Sequence, residues 1–210
     1  VGGAGGNSVT WLFNKGITGA TVYAANTDAL HLSITKADEK LLIGKELTRG
    51  LGAGGYPQKG REAAKESLGE IKKGVSGADM SFVITGLGGG TGSGASPIVA
   101  QMAKESGSVV IGVCTMPFEC EKSRIDKAEF ALQELRENCD TCIVIDNNKL
   151  VDIAGNLPME QAFAVANELI STMIKGIVET ITLPSLINLD YADVSAIMKN
   201  GDVAVIGIGE

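Results

Sequence analysis

Gly86-Leu-Gly-Gly-Gly-Thr-Gly-Ser-Gly94 decides the fold, because an apolar run leads into it and a helix-compatible run leaves it. Upstream, Ser81-Phe-Val-Ile-Thr85 reads as a buried parallel strand. Downstream, residues 95–106 read as a helix, with Pro97 in its first turn and Gly107 as its stop. Glycines let successive N–H groups converge without a Cβ in the way, and a helix N-terminus beside them adds partial positive charge. Such a loop is suited to hold phosphate. It lacks the Gly-Lys-Ser/Thr ending of a Walker loop, which disfavours that class of NTPase. A flexible linker is the plainer alternative, but linkers are not normally placed between a buried strand and a helix.

Outward from that stretch, strand-like runs at 21–25, 41–43, 81–85, 109–115 and 141–145 alternate with helix-like ones. The alternation predicts an α/β fold, a doubly wound and largely parallel sheet with helices on both faces. Helices are expected over 57–73, opened by Pro57, over 121–137, and over 158–181. The last carries a broad apolar face from Ala162, Phe163, Ala166, Leu169, Ile170, Met173, Ile174 and Ile177. Pro184 ends it, and a helix over 192–200 and a strand over 203–208 are expected beyond. Ligands of such sheets bind past the carboxyl ends of the strands, where the glycine loops fall.

Bulk properties narrow the function. The 210 residues are 44% hydrophobic and 20% charged, ordinary for one large globular domain, and no window has the long uncharged apolar run of a membrane span. A net charge of −7 gives no basic footprint for nucleic acid or for insertion at anionic lipid. A nucleotide site here must use backbone amides, helix ends and bound cations. The four cysteines are too few for a disulfide scaffold and fit a reducing cytoplasm. Cys139-Asp-Thr-Cys142 admits redox or half-zinc readings, but no second such pair or nearby histidine completes a metal set. His31, the sole histidine, is expected in the helix after residue 28 rather than in catalysis.

Gly-Gly-Gly-Thr-Gly-Ser-Gly at 88–94 resembles the signature loop of the tubulin/FtsZ superfamily. Gly2-Gly-Ala-Gly-Gly-Asn7 resembles that family's first glycine loop, Asn26-Thr-Asp28 its second, and Gly50-Leu-Gly-Ala-Gly-Gly55 its loop near the terminal phosphate. Thr115-Met-Pro-Phe118, Asn147-Asn-Lys-Leu150, Ala162-Phe163 with Ala166-Asn167, and Asn188-Leu-Asp-Tyr-Ala-Asp193 follow in the family's order. The resemblance covers essentially the whole chain, and its spacing is nearer FtsZ than eukaryotic tubulin. It implies a GTP-binding domain over 1–183 whose first strand is truncated, so that Val1 is not the natural start. Residues 184–210 are then a catalytic loop, a helix and the start of a second domain.

The resemblance also assigns roles. Gly3, Ala4, Gly5, Gly6 and Asn7, with Gly88, Gly89, Gly90, Thr91, Gly92, Ser93 and Gly94, are expected around the phosphates. Asn26 and Asp28 join them from the second loop, and Gly52, Ala53, Gly54 and Gly55 report the terminal phosphate. Pro117, Glu121 and Arg124 are expected near the sugar. The segment 118–124 is one residue shorter than the family pattern and lacks its customary glycine, so Glu119 is a rival to Glu121 for the ribose. Asn147, Phe163 and Asn167 would read and stack guanine, although Asp146 and Glu168 replace the commoner proline and aspartate. Asn188, Asp190 and Asp193 are expected to act on the GTP of a neighbouring subunit. Mg²⁺ is implied with the nucleotide, held by phosphate and water because no carboxylate cage is visible.

The function implied is a cell-division GTPase that polymerises head to tail, activated by its own assembly. It would be cytoplasmic, at the division site, with membrane-tethering division proteins as further partners. The alternative is a nucleotide-binding filament module with little hydrolysis. An NAD-dependent Rossmann enzyme is weaker still, since residues 2–7 lack the full G-x-G-x-x-G pattern and the 88–94 loop has no role there.

Overall fold

Alternate residues of the apolar strands face opposite ways, and the computed structural model, which describes residues 1–149, 158–182, 196 and 198, covers both faces with helices. Strand β1 (Tyr23–Asn26) pairs in parallel with β2 (Glu39–Leu42). Strands β3 (Met80–Gly86), β4 (Val109–Met116) and β5 (Thr141–Asp146) form a second parallel sheet in that order, with Ile84 opposite Val113 and Val113 opposite Ile143. Parallel neighbours need crossovers, and helices supply them.

Helix α1 (Gly2–Lys15) lies across both sheets, packing on β1 and β3. The longest helix, α8 (Met159–Thr182), covers it. Val9 and Leu12 of α1 and Ile170 and Ile174 of α8 meet Ile84, Ile111, Val113 and Ile143 in one core. On the other face, α6 (Thr91–Glu105) and α7 (Ile125–Asn138) pack Ala100, Ala103, Ala128, Ala131 and Leu135 on Val83, Val110, Cys114 and Cys142. The small residues on both helices allow close approach, which apolar burial then stabilises. Between the strands run α2 (Ala29–Ile34), α3 (Lys45–Thr48), α4 (Pro57–Glu66) and α5 (Leu68–Val75).

Several boundaries differ from the sequence reading, each for a local reason. Residues 2–7 are the first turns of α1 rather than a loop. Helix α6 starts at Thr91, so Pro97 lies in its second turn, while Gly107 ends it at a φ of 90° with its N–H on the Lys104 carbonyl. The expected 57–73 helix breaks at Ser67, whose hydroxyl accepts the Gly44 N–H at 3.0 Å. Beside the break, the Glu66 carboxylate caps α3 through the N–H groups of Glu46 and Leu47 at 3.0 and 3.1 Å. The 121–137 segment begins as a 3₁₀ turn, Glu119–Arg124, before α7. The helix and strand expected at 192–200 and 203–208 lie outside the described residues, apart from Ala196 and Met198.

Cys114, Cys139 and Cys142 are buried free thiols on the α7 side of the sheet, and Cys120 is an exposed one. Gly112 makes room for them, since a Cβ there would stand 2.9 Å from Cys139 Sγ. Burial pushes the Cys139 thiol up to about 12, and a hydrogen bond to Cys142 together with burial raises Cys114. The hydrogen bond with Cys114 lowers Cys142 instead, and the described residues contain no group of three or more His, Cys, Asp or Glu side chains placed to hold a metal ion.

Candidate functional site

Two helix N-termini converge on one cleft. The four leading N–H groups of a helix have no partners within it. At α1 and at α6, neither Val1 nor Gly90 in the N-cap position supplies a side-chain acceptor for them. Gly3 and Ala4 of the first helix, and Gly90, Thr91 and Gly92 at the start of the second, line the same cleft of about 270 Å³. Uncapped N–H groups and two helix dipoles directed into one space favour a multiply charged anion.

The 86–90 turn holds the second helix in place. Gly88 has a φ of 93°, and its N–H donates to Ser93 Oγ at 2.9 Å, so Ser93 staples the turn. Leu87 donates its N–H to the Thr115 carbonyl at 3.0 Å, which ties the turn to β4. Thr91 Oγ1 is 2.6 Å from Thr27 Oγ1, and Thr27 is fully buried. The Asn26–Asp28 segment therefore supports the cleft from behind. Asn26 Oδ1 accepts the N–H groups of Thr27 and Asp28 at 2.9 and 3.3 Å, and Asp28 caps α2 through the His31 N–H at 2.9 Å.

His31 stands beside the first turns of α1. A Cβ on Gly6 would stand 3.3 Å from its Cε1, and one on Gly3 would stand 3.9 Å from its Nε2. His31 Nδ1 has Asn26 Nδ2 at 3.5 Å and Thr35 Oγ1 at 3.4 Å as neighbours.

Side chains build the opposite end. Pro117, Glu121, Arg124, Asn147 and Phe163 line it. Phe163 is exposed, and its ring meets that of Phe118 edge to face at 5.3 Å between centroids. An exposed ring on the cleft lining suits stacking on a flat ligand. Asn147 is buried, and its Oδ1 has no hydrogen-bond partner among the described residues. An unsatisfied buried acceptor on a cleft wall calls for a ligand donor. Glu121 accepts the Phe118 N–H at 3.1 Å and pairs with Arg124 at 2.7 Å. Glu119 is exposed and does not line the cleft; its N–H donates to Asn148 Oδ1.

Of the residues expected at the site, Gly5, Gly6, Asn7, Asn26, Asp28, Gly52, Ala53, Gly54, Gly55, Gly88, Ser93, Gly94 and Asn167 do not line this cleft. Several are committed to packing. A Cβ on Gly5 would stand 2.5 Å from the Ile84 carbonyl oxygen, and one on Gly94 1.9 Å from that of Pro57. Asn167 Oδ1 is taken by the Ser8 hydroxyl at 2.7 Å. Ala53 and the Gly55 N–H abut Gly90 instead, within 2.8 and 3.1 Å of where its Cβ would be, so the 52–55 loop adjoins the cleft. Gly86 and Leu87, read from sequence as part of the phosphate-holding loop, and Thr115, in the 115–118 motif, carry no individual site role in the sequence reading, and all three line the cleft. Their signal is position at the paired carboxyl ends of β3 and β4, where Gly86 stands opposite Thr115. Asn188, Asp190 and Asp193 lie outside the described residues.

A parallel sheet with a glycine turn and two bare helix N-termini at its carboxyl edge defines a nucleotide-binding α/β domain. Residues 1–155 match the model of the Tubulin/FtsZ family GTPase domain, and the chain belongs to that family. It is 53% identical over 209 residues to Cell division protein FtsZ 2 of Methanocaldococcus jannaschii, covering 100% of this chain and 55% of that protein. It is 54% identical over 211 residues to Cell division protein FtsZ 1 of Thermococcus kodakarensis, covering 100% and 57%. The fold superposes on an empty FtsZ dimer of M. jannaschii with a TM-score of 0.93 at 51% identity, over 96% of this chain and 59% of that one. The chain spans little more than half the length of these relatives.

Proposed function

We propose that this protein binds GTP in the cleft and hydrolyses it on assembling head to tail into a cell-division filament. The observation that carries the reading is the pair of uncapped helix N-termini on one cleft, with an Asn147 acceptor unsatisfied among the described residues and an exposed Phe163 ring on the same lining. The first end suits a polyphosphate, the second a base that donates from its edge, as guanine does. Arg124, paired to Glu121 on the lining, suits the sugar and inner phosphates.

Hydrolysis requires a positioned water and compensation of developing charge. Uncapped amides supply the second. A base for the first is absent from the described cleft lining apart from Glu121, which is already engaged. This supports Asp190 and Asp193, with Asn188, acting on a neighbouring subunit's nucleotide. A contact of that kind is heterologous and propagates as an open filament. Mg²⁺ stays on the phosphates and water, because the described residues offer no carboxylate cage for it. The partners are copies of this chain and membrane-tethering division proteins, and the site of action is the cytoplasmic division site. Among the described residues no helix is long and apolar enough to cross a membrane.

Mass-spectrometric identification of the nucleotide carried by the purified protein tests the binding half, and adenine nucleotide or none would overturn it. For the catalytic half, Asp190→Ala and Asp193→Ala are expected to keep GTP binding and lose most turnover. Mixed with a Gly90 variant deficient in nucleotide binding, they should recover part of it. Failure of every folded, co-assembling mixture to recover would end the shared-site assignment. A filament module with little hydrolysis is the second reading, favoured by the pinned Glu121 in its short segment. Prompt phosphate release from bound GTP in a single turnover would exclude it.

A further inference from the structure

Past the end of β5 the chain turns helical at Asn147, and Asp146 stands in the N-cap position. Its Oδ1 accepts the Asn148 main-chain N–H at 2.9 Å, as an N-cap carboxylate does. The same oxygen accepts the Asn148 side-chain Nδ2 at 2.9 Å. Asn148 Oδ1 in turn accepts the Glu119 N–H at 2.9 Å. That N–H is the first of the 3₁₀ turn, where the turn itself offers no partner. Only one orientation of the Asn148 amide satisfies both neighbours, because an ionised carboxylate accepts and a main-chain N–H donates. Beyond Glu119 the turn closes on itself. The Glu121 N–H donates to the Phe118 carbonyl at 2.9 Å, and the Glu121 carboxylate accepts the Phe118 N–H. Asp146, Asn148 and Glu119 lie off the cleft lining, whereas Asn147, Glu121 and Arg124 are on it.

We infer that Asp146 is a positioning residue that sets the base-reading and sugar-reading groups of the cleft together, with Asn148 as its link to the second. This deepens the GTP-binding reading and rests on it. Asn147 is the residue between the cap and the N–H it caps. It is buried, and its Oδ1 has no partner among the described residues, so the main chain on either side of it decides where that oxygen stands. The same carboxylate holds the Asn148 amide, which holds the start of the turn carrying Glu121 and Arg124. Two departures from the family pattern, the shortened 118–124 segment and Asp146 in place of the commoner proline, thus meet in one set of hydrogen bonds. A proline could fix the main chain there, but it has no side-chain acceptor for the Asn148 amide. A nucleoside seated on Asn147 therefore finds Glu121 and Arg124 at a set distance from its base.

The test is displacement of a fluorescent GDP analogue from the full-length protein by GTP, ATP and dideoxy-GTP, below the concentration at which it assembles. Asp146→Ala should lower the preference for GTP over ATP and over dideoxy-GTP together, each by about three- to fivefold, the range of one lost hydrogen bond. Asn148→Ala keeps the capped main-chain N–H and cuts only the link. It should lower the preference over dideoxy-GTP by a similar factor and leave that over ATP within about twofold of wild type. Asp146→Asn, which retains an acceptor oxygen, should keep most of both preferences. A merely structural brace would weaken all of these nucleotides by one factor and move neither ratio. Unchanged ratios in Asp146→Ala overturn the inference. Should that variant fail to fold, an unchanged preference over dideoxy-GTP in Asn148→Ala overturns it instead. A wild-type protein with no preference for GTP over ATP overturns the guanine reading itself, and the positioning role with it.

Discussion

The two ends of the cleft are made of different material. At the α1 and α6 end the chemistry is main-chain: N–H groups at two helix starts that no N-cap side chain engages, with Gly3, Gly90 and Gly92 on the lining. At the Asn147 end it is side-chain: one unsatisfied amide oxygen, one exposed ring and an ion pair. Main-chain donors are fixed by the fold and cannot be mutated away, only blocked. Side-chain groups can be removed singly, but they need support to stay in place. Disturbing the first end should therefore damage fold and binding together, whereas disturbing the second should alter selectivity in a protein that remains folded.

The largest expected effect comes from a glycine that never touches the cleft. In Gly94→Val a side chain would meet the Pro57 carbonyl, 1.9 Å from the position of its Cβ, and the Arg61 N–H. Backbone cannot yield as a flexible side chain does, so α4 must separate from α6. A loss of about 3 kcal/mol or more is expected in denaturant unfolding. Retention of wild-type stability would show that the close approach of these helices does not hold the glycine turn. Next comes Asn147→Ala. It removes a buried acceptor with no partner among the described residues, so stability should hold or rise slightly while discrimination between GTP and ATP falls about tenfold or more. Equal losses for the two nucleotides would remove Asn147 from base recognition.

Main-chain and side-chain construction also explain what the sequence made legible. The β3–turn–α6 unit was readable because spacing alone carries it: a strand run, glycines, then a helix. The parallel sheet followed from the same alternation, and His31 fell in α2 as expected. Which glycines face ligand was not readable, because Gly94 and Gly92 have the same residue type two positions apart. Both are pressed on backbone, Gly94 on the Pro57 carbonyl of α4 and Gly92 on the Gly86 carbonyl, 2.4 Å from where its Cβ would be, yet only Gly92 also lines the cleft. Only the tertiary approach of α4 separates them, and Gly60, whose Cβ would stand 2.2 Å from the Gly90 carbonyl oxygen, carries no local signal of that role. The choice between Glu121 and Glu119 was likewise undecidable from a one-residue shortening. The 3₁₀ turn settles their placement by returning Glu121 to the Phe118 N–H and leaving Glu119 outside.

A middle-sized effect tests how much one side chain contributes to the main-chain end. Ser93→Ala removes the hydroxyl that accepts the Gly88 N–H and leaves that buried donor without its partner. About 1–2 kcal/mol of stability should be lost, with weaker binding of GTP and GDP alike because the whole turn loosens. A loss confined to GTP would place Ser93 on the terminal phosphate instead.

The smallest effect on stability is the sharpest test of the contrast. Gly89 lies in the same run as Gly94, lines the cleft, has no left-handed φ, and would present a Cβ to open space with nothing within 4 Å. Gly89→Ala should therefore change unfolding free energy by no more than about 0.5 kcal/mol. The added methyl points into a space the nucleotide must fill, so affinity for GTP and GDP should fall together in a protein as stable as the wild type. Gly94→Ala should do the reverse, lowering stability first and binding only through it. If the alanine at 89 destabilises as much as the one at 94, the two glycines share a packing role. The turn is then a structural corner whose amides face the cleft only incidentally. If it leaves both stability and affinity untouched, the phosphates do not pass Gly89, and the anion must be sought nearer the N-terminus of α1.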